Sequence, residues 1–356
     1  DACVAGAIHV ATRSADGDMP DPSSPTINSP YKMTSRNLNE LRATKSTKAG
    51  SITVADSLSY VTFGRTEWQV SEVCAGTMTW GSFNDKEEMA WEQLDKAVEL
   101  GVNFIDTAEL YPVAFNYGKT TEAWIGNWLK KRTSEGKVKR DSLYIATKCN
   151  PMGIGASLPG REKEPHGFDE EMLEHSCRAS LERLQCGVID LYQLHWPSRD
   201  TPVFGCASFY PEGKNRPMKY VDMGSGTKTE DFMKDGGMEV FERQVKAVKK
   251  LLDKGLIKHW GLSNENGYGI AMFCMACDKL NVPRPVSCQN DFSLLNRTYE
   301  SDAWEAAYRF GVVGLPYGAL AGGVLSGKYS KDKYAAPDKA ERPLSECRMR
   351  KTPDFQ

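Results

Sequence analysis

The sequence predicts an α/β chain folded as a (β/α)8 TIM barrel with an N-terminal β-hairpin, its eighth βα unit missing from this chain. Three observations carry that expectation. Seven short apolar runs are each followed by a helical pattern, no G-x-G-x-x-G turn of a doubly wound dinucleotide domain occurs, and polar residues gather at the C-terminal ends of the runs. Strands alternating with helices imply parallel pairing, right-handed crossovers and a sheet covered by helices.

Taken in order, residues 1–59 read as a disordered tail. Asp16 to Pro30 is rich in Pro, Ser and Asp, and Ser35 to Ala49 in Ser, Thr, Lys and Asn, with no apolar periodicity in either. A targeting segment is the alternative; Met33 precedes a Ser/Thr/Arg/Lys-rich stretch, but Asp16, Asp18, Asp21 and Glu40 argue against it. The barrel is expected over 60–345. It opens with a hairpin, Tyr60-Val-Thr-Phe63 and Trp68-Gln-Val70 around a turn at Gly64. Strands are expected at 73–78, 102–106, 143–148, 189–195, 257–264, 286–292 and 312–317. The helices between them show three- and four-residue apolar spacing, as in Met172, Leu173, Cys177, Leu181 and Leu184, and Gly101 and Gly255 stand where C-cap glycines belong. Beyond Tyr329 the sequence is polar, and 346–356 reads as a truncated C-terminal segment. Seven strands leave two unpaired barrel edges, so the expectation is a fragment of a longer protein, a barrel closed by a partner, or an open fold.

Composition narrows the function classes. With 356 residues, 40% hydrophobic and 26% charged, the chain can bury a large core. A net charge of −2 gives no reason to expect nucleic acid or an anionic membrane as partner, and no apolar run reaches the roughly 18 residues of a membrane span. Cys74, Cys149 and Cys288 fall inside expected strands, which reads as reduced core thiols in a reducing compartment, the cytoplasm or alternatively a plastid. Cys274-Met-Ala-Cys277 has redox-motif spacing on an expected helix; packed thiols, a redox pair and half a metal site are the readings, and packed thiols are favoured. No metal site is expected.

The chemistry-bearing residues sit where a barrel places its site, at the C-terminal strand tips. Asp106 ends the second strand and Tyr111 begins its loop. Lys148 ends the third, His195 the fourth and Asn264 the fifth; Gln289 and Asn290 lie in the sixth, and Tyr317 ends the seventh. An ammonium beside a tyrosine eases loss of the phenolic proton, a carboxylate keeps that ammonium charged, and an imidazole nearby orients an oxygen. Such a site delivers a proton to an oxyanion but holds no hydride source, so a reduction there needs a cofactor. Ser263, Asn264 and Gln289 offer polar groups for a carboxamide, and the Tyr317 ring a face for a flat heterocycle.

These residues fall into a familiar order. Phe63-Gly-Arg-Thr66, Gly76-Thr-Met78, Asp106-Thr-Ala-Glu-Leu-Tyr111, Ala146-Thr-Lys148, Asp190-Leu-Tyr-Gln-Leu-His-Trp-Pro197, Gly261-Leu-Ser-Asn264, Gln289-Asn290 and Gly327-Lys-Tyr329 resemble the motifs of the aldo-keto reductases. The likeness is greatest to the bacterial-type branch carrying an HWP motif and the Gln-Asn-x-x-Ser-Leu-Leu-Asn-Arg run, here Gln289 to Arg297, and it spans about 60–345. It implies NADP(H)-dependent reduction of an aldehyde or ketone to an alcohol, with Tyr111 as proton donor, Lys148 and Asp106 tuning it, and His195 positioning the carbonyl. Ser263, Asn264 and Gln289 then hold the carboxamide, Tyr317 stacks beneath the ring, and Leu320 and Gly322 are further cofactor contacts. Trp80 and Trp196 are expected to line the substrate side. The resemblance departs in two places. The segment that grips the 2′-phosphate falls beyond Gln356, and Gly318 stands where many members carry a serine near the cofactor. The 197–230 loop, with Phe204, Phe209 and Tyr210, reads equally as a lid or as a disordered insertion. A cofactor-binding module without turnover, and a Schiff-base lyase or aldolase using Lys148, are the alternatives to a reductase.

Overall fold

The computed structural model describes residues 58–81, 86–112, 120–151, 168–199, 201–202 and 237–326, together with the backbone of 8–10. The Gly327-Lys-Tyr329 motif, the 346–356 segment, and most of the 1–59 tail and of the 197–230 loop lie outside the described residues.

Within them the strand–helix alternation is present. A hairpin pairs β2 (Tyr60–Thr62) with β3 (Gln69–Ser71). Then follow β4 (Val73–Gly76), α1 (Glu87–Glu99), β5 (Phe104–Asp106), α2 (Thr120–Ser134), β6 (Tyr144–Cys149), α3 (Glu170–Leu184) and β7 (Ile189–Leu194). After these come α4 (Met238–Asp253), β8 (Ile257–Ser263), α5 (Gly267–Leu280), β9 (Ser287–Asp291), α6 (Thr298–Asp302), α7 (Trp304–Phe310) and β10 (Val313–Tyr317). The strands β4 to β10 are the seven expected ones and pair parallel in chain order, each beside its predecessor. This is a curled parallel sheet with helices, a partial (β/α)8 barrel.

Local chemistry sets the element ends. Asp169 caps α3 by accepting from Met172 N at 2.8 Å, and Asn266 caps α5 by accepting from Gly269 N at 2.9 Å, which satisfies donors a helix start leaves unpaired. α1 and α4 stop just ahead of Gly101 and Gly255, which take φ of 92° and 64°, the left-handed conformation that ends a helix without a Cβ clash. No helix among the described residues is long and apolar enough to cross a membrane.

The expectation of a tail outside the barrel over 1–59 is corrected at one point. A strand β1 (Ile8–Val10) lies antiparallel against β4, register Ile8 to Ala75, and runs alongside β10. The edge of β4 presents an unpaired row of backbone donors and acceptors, and β1 occupies it. Of the two bare edges expected, the β4 edge is thereby covered, while β10 among the described residues pairs with β9 alone. Being antiparallel, β1 covers the β4 edge without standing in for an eighth parallel unit.

Two apolar clusters follow from strand alternation, which sends successive side chains to opposite faces. One fills the space between strands and helices, with Ile105, Ile145, Trp128, Leu173, Val248, Trp260 and Phe273 among its members. The other lies inside the sheet's curl, where Phe63, Trp68 and Val70 of the hairpin meet Phe104, Ala146, Leu191 and Leu315. Phe63 sits edge-on to Phe104 at 5.2 Å, and Trp68 stacks on Tyr144 at 4.7 Å, so the hairpin forms a floor at the N-terminal end of the strands. Truncating Phe63, which is fully buried, removes the centre of that floor. Phe63→Ala is expected to cost about 3–5 kcal/mol, read as a lowered midpoint in urea unfolding.

Candidate active site

The floor residues fix what stands above them. Residues two apart on a strand share a face, so above Phe104, Ala146, Leu191 and Leu315 the interior face continues to Asp106, Lys148, Gln193 and Tyr317. The pairing register sets Asp106 opposite Ala146 and Lys148 opposite Gln193, so Asp106 stands one layer beneath the other two, whose long side chains reach down to it. The apolar interior thus gives way to a polar layer at the strand tips.

Lys148 is fully buried and its ammonium has three partners: Asp106 Oδ2 at 2.6 Å, the Thr107 carbonyl at 2.8 Å and the Tyr111 hydroxyl at 3.3 Å. The other carboxylate oxygen of Asp106 accepts from Gln193 Nε2 at 3.1 Å and Gln289 Nε2 at 2.9 Å. Burial pulls the lysine toward losing its proton, but the Asp106 charge and the hydrogen bonds to Asp106 and Tyr111 outweigh it, so its pKa lies above the usual value and the amine is held as a cation.

His195 follows β7 and is 7% exposed. Its backbone N–H continues the sheet by donating to the Cys149 carbonyl at 2.9 Å. The imidazole stands edge-on to the Tyr111 ring at 5.8 Å, lies 4.8 Å from the Trp196 ring, and meets the Asn150 side-chain amide through Nδ1 at 2.8 Å. Burial, then the Lys148 charge, push its pKa well below the ordinary histidine range, with Asp106 opposing. The ring is therefore neutral at neutral pH. Tyr111, Lys148, Asp106 and His195, expected to converge at one rim, do so.

The residues expected at a cofactor lie along the adjoining tips. Asn264 holds a left-handed φ of 55°, uncommon for a residue with a side chain, pinned by its N–H donating to the Gln289 carbonyl at 2.8 Å. Its Nδ2 donates to the His195 carbonyl at 2.9 Å and to Ser263 Oγ at 3.2 Å, and its Oδ1 accepts from the Tyr317 hydroxyl at 2.6 Å. The side-chain amide of Gln289 is turned to Asp106 rather than to this group. Leu320 is exposed, and Gly322 sits at φ 63° in the 3-10 turn Ala321–Ser326 after β10. Gly318, where a serine was the comparison, has φ 70°, and a Cβ there lies 2.8 Å from Asp291 Oδ1, so a serine is strained and crowded. The two tryptophans expected on the substrate side differ. Trp196 lies beside His195, whereas Trp80 is 2% exposed, packs in the outer cluster and spends its indole N–H on Gln93 of α1 at 2.9 Å.

Cys274 and Cys277 are both buried in α5, and burial pushes Cys274 up to about 12 and Cys277 higher still, so both are protonated packed thiols.

Three features of the site were not anticipated. Gln193 supports Asp106; it lies two residues before His195, and strand alternation alone places it on the interior face. Asn150 meets His195 from the position two past Lys148, where the same alternation had the information to find it. Arg199 and Glu265, 5% and 2% exposed, form a two-pronged ion pair at 2.7 and 2.6 Å that ties the loop after β7 to the loop after β8, and no local signal in the sequence announces it.

A family model described as the Aldo/keto reductase family matches residues 72–355. The chain is 34% identical over 263 residues to Protein tas of Escherichia coli (strain K12), covering 73% of this chain and 68% of that protein. It is 30% identical over 275 residues to the uncharacterized oxidoreductase YrpG of Bacillus subtilis (strain 168), covering 77% and 70%. Among solved structures, a thermostable aldo-keto reductase, Tm1743, in complex with the inhibitor epalrestat aligns with a TM-score of 0.48 at 21% identity, covering 79% of this chain and 78% of that one. With its family match spanning most of its length, the chain belongs to the aldo/keto reductase family of oxidoreductases.

Proposed function

We propose that the protein reduces an aldehyde or ketone to an alcohol with NADP(H), Tyr111 giving the proton. The observation that carries this reading is the Tyr111 hydroxyl 3.3 Å from an ammonium that Asp106 keeps charged. When bound, the nicotinamide supplies the hydride that no side chain can. Fit to that group is supported by the donor set: a half-buried Tyr317 ring, the Ser263 hydroxyl and the Asn264 amide share one rim, which suits a flat ring bearing a carboxamide. Gln289 joins the reading as the support of Asp106 rather than as a carboxamide ligand. NADP(H) is chosen over NAD(H) on the likeness of the motifs.

The proton transfer follows from the charges. As negative charge develops on a carbonyl oxygen, the Tyr111 hydroxyl donates to it, and the Lys148 cation stabilises the phenolate left behind. His195, neutral, holds the same oxygen by a hydrogen bond from Nε2. The closed floor beneath keeps bulk water from that side, which strengthens each of these interactions. The Schiff-base alternative is disfavoured by the same geometry, since a nucleophilic amine needs a lowered pKa and that of Lys148 is raised. A reducing compartment such as the cytoplasm is proposed on the cysteines buried unpaired among the described residues.

Two outcomes test the reading. Tyr111→Phe is expected to lower kcat for aldehyde-dependent NADPH oxidation by about 10²–10⁴-fold while NADPH affinity, followed by fluorescence, stays within about twofold. Wild-type turnover in that variant removes Tyr111 from the role. Asp106→Asn removes the charge that keeps Lys148 protonated, so the loss of activity on the alkaline side of the pH–kcat profile is expected to begin at lower pH than in the wild type. An unmoved alkaline limb contradicts the tuning role.

A further inference from the structure

Asn150 leaves the tip of β6 and is 1% exposed. Its backbone N–H donates to Glu109 Oε1 at 2.8 Å, which fixes the origin of its side chain. The side-chain amide lies 2.8 Å from His195 Nδ1. With Oδ1 turned to the ring, Nδ2 is buried with no hydrogen-bond partner among the described residues. Turning the amide over exchanges the two atoms without changing its shape, and it leaves an acceptor unpaired in place of a donor, the smaller loss.

Which atom faces Nδ1 decides what the histidine can do. His195 is neutral in this setting, and a neutral imidazole carries a single N–H. Nδ1 is committed to Asn150, so Nε2 is the nitrogen left for a substrate. A proton on Nδ1 makes Nε2 a bare acceptor, which repels a carbonyl oxygen. A proton on Nε2 makes it the donor that oxygen requires, and then Nδ1 must accept from its neighbour. Among the described residues, Nδ2 of Asn150 is the donor placed to supply that hydrogen bond.

We propose that Asn150 is a positioning residue that selects the Nε2–H tautomer of His195: its Nδ2 donates to Nδ1, and the Nε2–H is thereby directed at the carbonyl oxygen held beside Tyr111. The proposal deepens the reductase reading and rests on it. Asn150 transfers no proton and touches no reacting atom. It acts by denying His195 the alternative protonation, and the unpaired polar edge it leaves is the cost of that arrangement.

The test reads the tautomer directly. The full chain is labelled with ¹⁵N-histidine; it has five histidines, and the His195 signals are those lost in His195→Gln. Long-range ¹H–¹⁵N correlation at neutral pH is expected to give a protonated Nε2 and an unprotonated, hydrogen-bonded Nδ1. A protonated Nδ1 with a bare Nε2 overturns the proposal. Kinetics supply a second readout. Asn150→Leu is expected to lower kcat about 10-fold or more with NADPH affinity unchanged, because a misdirected ring loses its alignment with the carbonyl. In the His195→Gln background the same substitution is expected to cost nothing further, since residues acting as a unit are not additive. Equal losses in both backgrounds overturn the proposal in favour of a packing role. Should Asn150→Leu fail to fold, the wild-type tautomer decides alone. The spectrum needs no turnover, so absence of carbonyl-dependent NADPH oxidation in the wild type defeats the reductase reading without touching the tautomer result.

Discussion

A cation and an anion sealed from water, Lys148 and Asp106 at 2.6 Å, set the terms for every neighbour at the mouth of the sheet's curl. Taking each ion out of water costs several kcal/mol, and mutual attraction repays that only where further hydrogen bonds satisfy the remaining lone pairs and protons. The structure supplies them from separate strands and loops: Gln193 of β7 and Gln289 of β9 on the acid, and the Thr107 carbonyl and Tyr111 hydroxyl on the amine. A well-packed apolar pair of similar volume is often as stable as a buried ion pair, so stability alone does not explain this one. What the pair contributes is a fixed positive charge beside a phenol, in a place where water cannot weaken it.

The polar layer is reachable because the apolar one beneath it is regular. Four site residues on strands lie two positions beyond a member of the inner cluster, Phe104 before Asp106, Ala146 before Lys148, Leu191 before Gln193 and Leu315 before Tyr317. That spacing explains why the sequence disclosed Asp106, Lys148, His195 and Tyr317, together with the seven strands that carry them: apolar runs ending in a polar residue are local patterns. The rest depends on contacts that no local pattern records. Gln289 reaches Asp106 across 183 residues, and Arg199 reaches Glu265 across 66. Trp80 reads as an aromatic wall in sequence but finds a hydrogen-bond acceptor on α1 and joins the core. The strand Ile8–Val10 has only three residues, too few for an alternation signal, and what places it is the open edge of β4.

Asn264 shows how the tips are held in mutual register. Its backbone N–H is fixed to β9, its amide nitrogen to the carbonyl of His195, and its amide oxygen to the Tyr317 hydroxyl. One residue in a strained left-handed conformation thus joins the ends of four strands, β7, β8, β9 and β10. Such strain persists only where the surroundings over-determine it, and here they do. The Arg199–Glu265 pair reinforces the join between the loops after β7 and β8, so His195 and the Asn264–Tyr317 side of the rim are tied together.

The aromatic floor built from Phe63, Trp68 and Phe104 has a consequence for traffic. With the N-terminal end of the strands stoppered by packed rings, the described part of the molecule leaves Tyr111, Lys148 and His195 to be approached from the opposite end.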